Sequence, residues 1–304
     1  MGKILIIGSS NTDLITTMKR FPAPGETIEG TGFFTAMGGK GANQAVAALR
    51  SGGDASFITS LGTDVNGQTA MEYYKQQGLD VSMSLVVDGV PSGTAVILVN
   101  ETGENCIVIT PGANNKLSPE YIQGLENAIK EAGLIVLQME IPYETVCAIC
   151  EMAKKHGRKV MLNVAPARKV DESLLRTIEI LVVNETEAET ITGRKLEDGN
   201  VEEMADLLLS MGPNVVLITL GDKGCFLKTE GEKYIIPAFK VKPVDTTAAG
   251  DTFCGAVAAE YMRGNNWSEI LKFASAAAAI SVTRMGAQPS IPKQSEIQQF
   301  LNEK

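Results

Sequence analysis

A run of small residues beside a carboxylate is the stretch of this chain best suited to chemistry. Ala248, Ala249 and Gly250 precede Asp251, between a β-rich run that ends at Val244 and an apolar run with helical spacing, 252–263. The first amides of a helix lack internal partners, and small side chains let an anion approach them. A carboxylate beside an anion is unfavourable unless it accepts a proton from an attacking group. The stretch therefore indicates a general base next to an anion cradle, formed by residues 248–250.

A purely structural interpretation of this stretch stays open. Asp251 could cap the helix, and Gly250 could be an ordinary turn glycine. Short polar residues also follow the predicted first strand, Ile4 to Ile7, where Asn11 and Asp13 lie at its carboxyl end. Open α/β sheets bind ligands at that edge. These two side chains could equally cap a turn.

Two further segments combine glycine with a predicted helix or strand end. Gly38-Gly39-Lys40-Gly41 precedes a helix predicted over Ala42 to Arg50, so it permits either ligand contact or simply a sharp helix entry. It is not a Walker A loop, because no Ser or Thr follows the lysine. Thr219 to Gly224 is a glycine-containing turn after an apolar strand, 215–218. Turns of this kind are common.

Two more polar segments follow predicted strands. Asn184 and Glu187 come after an apolar strand, and helix capping explains them as well as function does, because Thr186 and Glu189 match a capping box. Glu140 follows another strand and is predicted to face the same edge as Asp251. A charged residue at a strand end is often only solvated.

The elements that must position these residues alternate between strand and helix from Leu134 onward. The predicted order is strand 134–138, helix 143–156, strand 159–163, helix 172–177, strand 180–183, two helices of which the second spans 201–211, and strand 215–219. Such alternation predicts a parallel sheet covered on both faces. The β-rich runs 93–100 and 105–110, and the turn-rich β segment from Phe21, interrupt it and predict a small separate sheet.

Composition excludes several classes of protein. A chain of 304 residues that is 44% hydrophobic can bury a large core, and its net charge of −9 argues against nucleic acid or an anionic membrane as partner. Five cysteines in so long a chain indicate reduced thiols in the cytoplasm, with Cys147 and Cys150 packed in a helix rather than binding metal. No segment is long enough to span a bilayer.

Four of these segments together resemble the PfkB carbohydrate kinase family, within the ribokinase-like superfamily. DTTAAGDTF at 245–253 resembles its C-terminal signature, and GGKGANQA at 38–45 its N-terminal one. NETE at 184–187 and TLGDKG at 219–224 lie between them in the expected order, so the resemblance covers essentially the whole chain. It implies a single domain, 1–304, folded as a three-layer α/β/α sandwich, with a mostly parallel central sheet and a small β-sheet lid formed by about 14–37 and 90–110.

The same resemblance implies an ATP-dependent sugar kinase that phosphorylates D-ribose at its 5-hydroxyl. The alternatives are the same fold acting on 2-deoxyribose, a fructose-type sugar or a nucleoside, and a sugar or nucleotide sensor without turnover. Mg²⁺ and a monovalent cation such as K⁺ are the implied cofactors beside ATP, and a homodimer through the lid is the implied assembly.

The family's functional residues correspond to named positions of this chain. The catalytic positions are Asp251 as general base, with Gly250, Ala249 and Ala248 stabilising the transferring group. The sugar-binding positions are Asn11, Thr12, Asp13, Gly38, Gly39, Lys40, Gly41, Ala42, Asn43 and Glu140, together with Asp251. The nucleotide-binding positions are Asn184, Glu187, Thr219, Leu220, Gly221, Asp222, Lys223, Gly224, Gly250 and Ser275, and Asn184 and Glu187 also order Mg²⁺. The monovalent-cation positions are Asp245, Thr247, Ser281, Arg284, Gly286 and Ser290.

Overall fold

A mostly parallel sheet with helices on both faces forms the centre of the protein. The structure is a computed structural model, and it describes residues 2–196 and 200–304. The strands, in chain order, are β1 (Ile4–Ile7), β2 (Asn11–Thr17), β3 (Gly32–Gly38), β4 (Ala55–Ile58), β5 (Ser60–Gly62), β6 (Leu85–Val87), β7 (Gly93–Val99), β8 (Asn105–Thr110), β9 (Leu134–Leu137), β10 (Lys159–Asn163), β11 (Ile180–Asn184), β12 (Val215–Thr219), β13 (Cys225–Lys228) and β14 (Lys233–Ile236). The α-helices are α1 (Lys40–Arg50), α2 (Val65–Gln77), α3 (Pro119–Gln123), α4 (Glu126–Glu131), α5 (Tyr143–Lys155), α6 (Glu172–Leu175), α7 (Glu185–Thr192), α8 (Val201–Ser210), α9 (Ala249–Arg263), α10 (Trp267–Ser281) and α11 (Gln294–Glu303). Short 3₁₀ helices span Gly112–Lys116, Gly221–Lys223 and Gln288–Ser290.

The central sheet has eight strands in the order β14-β13-β12-β11-β10-β9-β1-β4. All pairs from β4 to β12 are parallel, and β13 and β14 add an antiparallel edge. The parallel strands are buried on both faces, which explains why their sequences are continuous apolar runs. Their carboxyl ends all lie at one edge of the sheet, the edge at which such folds bind ligands.

The two faces of the sheet bury separate cores. Ile4 and Ile6 pack with α1, α2, α9, α10 and α11, whereas Leu5 and Ile7 face α3 to α8. Helices α1 and α9 approach closely, since a Cβ at Gly255 would collide with α1 at Ala47. The predicted three-layer α/β/α architecture is therefore confirmed. In the part of the chain that the structure describes, no helix is both long and apolar enough to cross a bilayer.

A second sheet of four strands, in the order β3-β2-β7-β8, contains both of the interrupting β regions. β7 and β8 form the predicted hairpin, but β2 pairs with β7 in parallel and with β3 in antiparallel orientation. Asn11 and Asp13 therefore lie in a strand, and the interpretation that they only cap a turn is wrong. The sheet begins three residues before the predicted lid boundary of 14. We call these four strands the small sheet.

The segment before α9 also differs from the prediction. β14 ends at Ile236, and residues 237–248 contain no strand, although the β-rich pattern continues to Val244. Pro237 and Pro243 explain the difference, because proline cannot donate the ladder hydrogen bond. A twelve-residue irregular segment therefore leads into α9.

Candidate active site

Asp251 lies in the first turn of α9, where its carboxylate is turned towards α1. It is 6% exposed, and its two oxygens accept hydrogen bonds from Asn43 Nδ2 at 2.9 Å and Gln44 Nε2 at 3.0 Å. The N-cap residue of α9 is Ala248, and no side chain caps the helix there. The interpretation of Asp251 as an N-cap is therefore wrong, because its oxygens bind amides of the neighbouring helix.

The N-terminus of α9 leaves several amides open. Among the described residues, the amides of Ala248, Gly250 and Asp251 have no hydrogen-bond acceptor, while Ala249 N donates to Thr246 O at 3.2 Å. A Cβ built at Gly250 would meet no other described part of the chain within 4 Å, so no other element packs against this residue. This geometry fits an anion such as a phosphate group at the positive end of a helix of 15 residues.

The pocket beside Asp251 contains further buried charges. The pKa of the Asp13 carboxyl group is raised to about 7. Burial is the largest cause, and the negative charges of Glu140 and Asp251 add to it. The ammonium of Lys40 loses hydration by burial, which lowers its pKa, but attraction to Asp251, Glu140 and Glu187 outweighs this and the net pKa is raised. Such a group of acceptors suits a ligand that brings hydroxyl donors.

Glu140 is a capping residue and not merely a solvated charge. Its Oε2 accepts hydrogen bonds from Ser9 Oγ at 2.6 Å and from the backbone N–H of Lys40 at 3.0 Å. Gly39, the N-cap residue of α1, has no side chain to do this. A carboxylate from the loop after β9 therefore completes the start of α1, as the helix dipole favours.

The glycines at 38–41 are required by close approach. Gly39 has a φ of 88°, and a Cβ there would meet the backbone N of Asn11 at 2.8 Å. A Cβ at Gly38 would overlap the Asp13 carboxyl group, and one at Gly41 would overlap the backbone of the loop after β1. Ala42, the next residue, donates its amide to Ser9 O at 2.9 Å. These residues therefore bring α1, β1 and the small sheet together.

Asn114 is a site residue that the sequence did not indicate. It is 1% exposed, and its Nδ2 donates to Asn11 Oδ1 at 2.8 Å, which fixes the orientation of the Asn11 amide. The two positions are 103 residues apart, so no local signal could have linked them. Thr12, in contrast, alternates with Asn11 and Asp13 along β2, so its side chain lies on the other face of the small sheet.

The residues expected to bind nucleotide meet at the carboxyl ends of β11 and β12. Asn184 and Thr219 are register partners in these adjacent strands. Asn184 and Glu187 form the capping box of α7, with reciprocal bonds of 2.8 Å. The capping box predicted at Thr186 and Glu189 is therefore wrong by two positions, because α7 starts at 185.

Glu187 connects this region to the base. It is 5% exposed, and burial raises its pKa, with the charge of Asp251 adding to the effect and Lys40 opposing it. The turn at 219–224 links β12 to β13, and Gly224 has a φ of 107° that favours glycine. Ser275 is buried in α10 within 3.8 Å of Cys225 Sγ. The structure thus brings the predicted nucleotide residues to one edge, next to the N-terminus of α9.

Two of the residues expected to hold a monovalent cation, Thr247 and Gly286, are joined through a third, Asp245. Its Oδ2 accepts from Gly286 N at 2.9 Å, and its Oδ1 accepts from Thr247 N at 2.9 Å and Thr247 Oγ1 at 2.5 Å. The hydroxyl of Ser290 donates to Ala287 O at 2.7 Å. Carboxylate, hydroxyl and loop carbonyl oxygens are the donors that hard cations prefer, so this loop pair fits such an ion.

The other two predicted cation residues make different contacts. The Arg284 guanidinium pairs with Glu296 of α11 at 2.6 Å, and Ser281 Oγ donates to Ala278 O at 2.9 Å within α10. Only the backbone carbonyl of Arg284 could therefore serve as a ligand, since its side chain is a cation. In the described part of the chain, no group of three or more His, Cys, Asp or Glu residues could hold a metal.

Comparisons with known proteins agree with this geometry. Residues 1–294 match the pfkB family of carbohydrate kinases. The chain is 40% identical over 299 residues to a ribokinase of Haemophilus influenzae, and 38% identical over 301 residues to a deoxyribokinase of Salmonella typhi, with 98% of both chains covered each time. The structure of Arabidopsis thaliana ribokinase complexed with ribose and ATP matches with a TM-score of 0.92 and 33% identity, covering 99% of this chain and 98% of that one.

Proposed function

The chain belongs to the PfkB family of carbohydrate kinases, and we propose that it transfers the γ-phosphoryl group of ATP to the 5-hydroxyl of D-ribose. One observation carries this proposal most directly: a buried carboxylate, Asp251, is held by two amide donors next to an open helix N-terminus. Phosphoryl transfer to an alcohol requires a base that accepts the hydroxyl proton and, next to it, a site that binds the phosphate oxygens.

Phosphoryl transfer depends mainly on positioning and charge stabilisation. Asp251 would accept the proton of the attacking hydroxyl, and the open amides of Ala248 and Gly250 would bind the oxygens of the transferring group. Asn11, Asp13 and Asn43 would hold the other sugar hydroxyls. Asn43 Oδ1 supports this assignment, because it is a buried acceptor that receives no hydrogen bond from the part of the chain that the structure describes.

ATP and Mg²⁺ fit the edge formed by β11, β12 and α9. The turn 219–224 and Ser275 would bind the nucleotide, while Asn184 and the buried carboxylate of Glu187 would order the magnesium ion. When bound, Mg²⁺ neutralises phosphate charge. Lys40, attracted to three carboxylates of the site, supplies a fixed positive charge from the protein itself.

A monovalent cation is the third proposed ligand. Asp245, which lies shortly before α9, already accepts hydrogen bonds from Thr247 and from Gly286, so an ion there would stabilise the shape of the anion cradle. Turnover should therefore be higher in K⁺ than in a bulky organic cation at the same ionic strength and Mg²⁺ concentration. Equal rates in the two salts would contradict a cation site.

The small sheet would act as the lid over the sugar. Asn11 and Asp13 at the start of β2 belong to both the pocket and the small sheet, so sugar binding should order its strands. Slower amide exchange at 21–30 and 93–110 on adding ribose is the expected sign of lid closure.

We further propose that two copies of the chain associate through the small sheet. We also propose that the enzyme works in the cytoplasm, where its five unpaired cysteines stay reduced.

A second acceptor, 2-deoxyribose, is favoured by one observation, the deoxyribokinase among the relatives at 38% identity. A panel of acceptors in a coupled ADP-release assay decides the question, with ribose, 2-deoxyribose, fructose and a nucleoside each tested under Mg²⁺ and K⁺. We expect the highest kcat/KM for ribose. A higher value for another acceptor would replace ribose, and ribose binding without ADP release would indicate a sensor.

A further inference from the structure

Gln44 is buried at the centre of an amide network that ends on the base. It is 0% exposed, and its Nε2 donates both to Asp251 Oδ1 at 3.0 Å and to Asn163 Oδ1 at 3.1 Å. Its Oε1 accepts from Gln138 Nε2 at 2.7 Å. Four elements thus meet at one side chain: α1, α9, the end of β10 and the residue after β9.

The direction of every amide in this network is determined by the central sheet. Asn163 Nδ2 donates to the backbone carbonyl of Val182 in β11 at 3.2 Å, so Asn163 Oδ1 must point the other way, towards Gln44. An oxygen there requires the NH₂ group of Gln44 and excludes its carbonyl. The NH₂ group can then reach Asp251 as well.

We infer that Gln44 is a positioning residue for the proposed phosphoryl transfer, which orients the Asp251 carboxylate through a relay that starts at a carbonyl of the central sheet. This inference rests on the proposed role of Asp251 as base. Asn43 holds the other carboxylate oxygen at 2.9 Å, so two consecutive residues of α1 fix the plane of the carboxylate. The close contact of α1 with α9 at Gly255 makes such short bridges possible.

A purely structural role for Gln44 makes different predictions. If the network served only to satisfy its own polar groups, losing it would reduce stability and leave the chemistry of the remaining folded protein unchanged. If Gln44 positions the base, losing its donor removes a hydrogen bond to the charged Asp251 carboxylate and leaves that carboxylate less well oriented. Asp13, Lys40, Glu187 and the Cys254 thiol also face Asp251 electrostatically, and all four are the same in wild type and variants.

The test compares wild type with Gln44→Met, which keeps the side-chain length and removes the donor. We expect kcat to fall by about 10- to 100-fold with little change in the KM for ATP, because misplacement of a reacting group costs rate more than binding. The acidic limb of the kcat–pH profile should move to higher pH. The side-chain carboxyl ¹³C signal of Asp251, followed by NMR without substrate, should also titrate at higher pH.

Two further variants keep this test decisive. Gln44→Glu preserves the shape and the bond from Gln138, and places a second carboxylate against Asp251, so the pair should share a proton and shift the acidic limb further. If Gln44→Met does not fold, Gln44→Glu takes its place in the test. The control is Thr145→Val in α5, on the other face of the central sheet from α9. It removes a buried hydroxyl that donates to Leu117 O at 2.7 Å, and it should lower stability without moving the pH profile.

Two outcomes separate the inference from the proposed function. If wild type phosphorylates no sugar, the proposed function fails, while the NMR titration of Asp251 still tests Gln44. If wild type is active, and the variants show a pH profile and an Asp251 titration that coincide with wild type, then Gln44 is only a structural residue and the inference is overturned.

Discussion

Asp251 is buried, yet each of its oxygens is bonded to an amide and to no cation in the described structure. Amide donors favour the charged form of a carboxylate without occupying all of its acceptor positions, whereas a direct ion pair would compete with a substrate hydroxyl. Lys40 interacts with it electrostatically, and no ion pair of Lys40 within 4 Å is found among the described residues. This environment is suitable for a general base.

Replacing Asp251 by asparagine tests this role. Either orientation of the new amide places an NH₂ group opposite the donor of Asn43 or Gln44, so we expect a loss of about 1–2 kcal/mol in the free energy of unfolding. Turnover should fall by on the order of 10² to 10⁴, because the proton acceptor is gone, while ribose and ATP still bind. The measurements are kcat, binding calorimetry and a melting curve on one preparation.

Asp171→Asn is the matched control, since this exposed carboxylate lies at the start of α6 and, among the described residues, accepts a hydrogen bond only from Tyr143. Its turnover should equal that of wild type. Near-normal turnover of a folded Asp251→Asn variant would refute the base assignment.

Asp13 predicts a pH dependence of stability. Its pKa is raised from 3.8 to about 7 in the folded protein, so folding favours the protonated carboxyl group. The stability that this protonated group contributes is therefore lost as the pH rises from 3.8 to about 7. The loss should be on the order of 3 kcal/mol in the unfolding free energy. Asp13→Asn should remove this dependence and be more stable than wild type at pH 8, although it binds ribose more weakly. Urea denaturation of both proteins at pH 5 and pH 8 measures the difference; parallel curves would contradict the assignment.

At the scale of elements, the site depends on how α9 begins. An irregular segment containing two prolines precedes this helix, and Ala248 supplies no side-chain cap, so the amides of Ala248, Gly250 and Asp251 find no acceptor among the described residues. A helix capped by Ser or Asp would have satisfied one of these donors itself. The uncapped start of α9 is therefore part of the proposed anion site.

Gly250→Ala should separate folding from anion binding. The residue does not have a positive φ, so alanine fits the helix and should stabilise it by roughly 0.5–1 kcal/mol. Its methyl group would occupy the space before the amides, and we expect turnover to fall about 10- to 100-fold with ribose affinity unchanged. Gly231→Ala, at a similarly open position between β13 and β14, is the control, and it should change neither turnover nor ribose affinity. Unchanged kinetics in Gly250→Ala would place the phosphate elsewhere.

At the scale of the whole molecule, the small sheet is conspicuous for its exposed apolar side chains. Phe34, Ile15, Ile97 and Ile107 are register partners that form one row across its four strands, and the outer two are 37% and 48% exposed. A row of this kind on a sheet with two open edges indicates an interaction surface. A second copy of the chain is the partner that we propose.

Ile107→Glu should therefore shift the protein from dimer to monomer at micromolar concentration, because a buried unpaired carboxylate opposes association. Sedimentation velocity measures this shift, and Val86→Glu, which changes an exposed valine of β6 outside the small sheet, should leave the assembly unchanged. A monomeric wild type with full activity would contradict the proposed dimer.

The fold was predictable wherever local pattern is sufficient. From Leu134 to Thr219 the predicted strands and helices agree with the structure to within one or two residues, since buried parallel strands are continuous apolar runs and the helices between them are amphipathic. β2 was missed because its sequence, NTDLITT, mixes polar and apolar residues, and its partner β7 lies 82 residues away. Its pairing is decided by tertiary contacts.

For the candidate site, the sequence by itself determined which residue types are present: a base, small residues at a helix start, glycines at α1 and polar residues at strand ends. Only the tertiary structure decided how they are oriented. Asp251 bonds Asn43 and Gln44 across more than 200 positions, and Asn114 holds Asn11 across 103. A hydrogen bond depends on distance and direction in space, whereas sequence spacing constrains these only within one helix, strand or turn. The residues of the candidate site were therefore readable from the chain, and the hydrogen-bonded network that holds them in place was not.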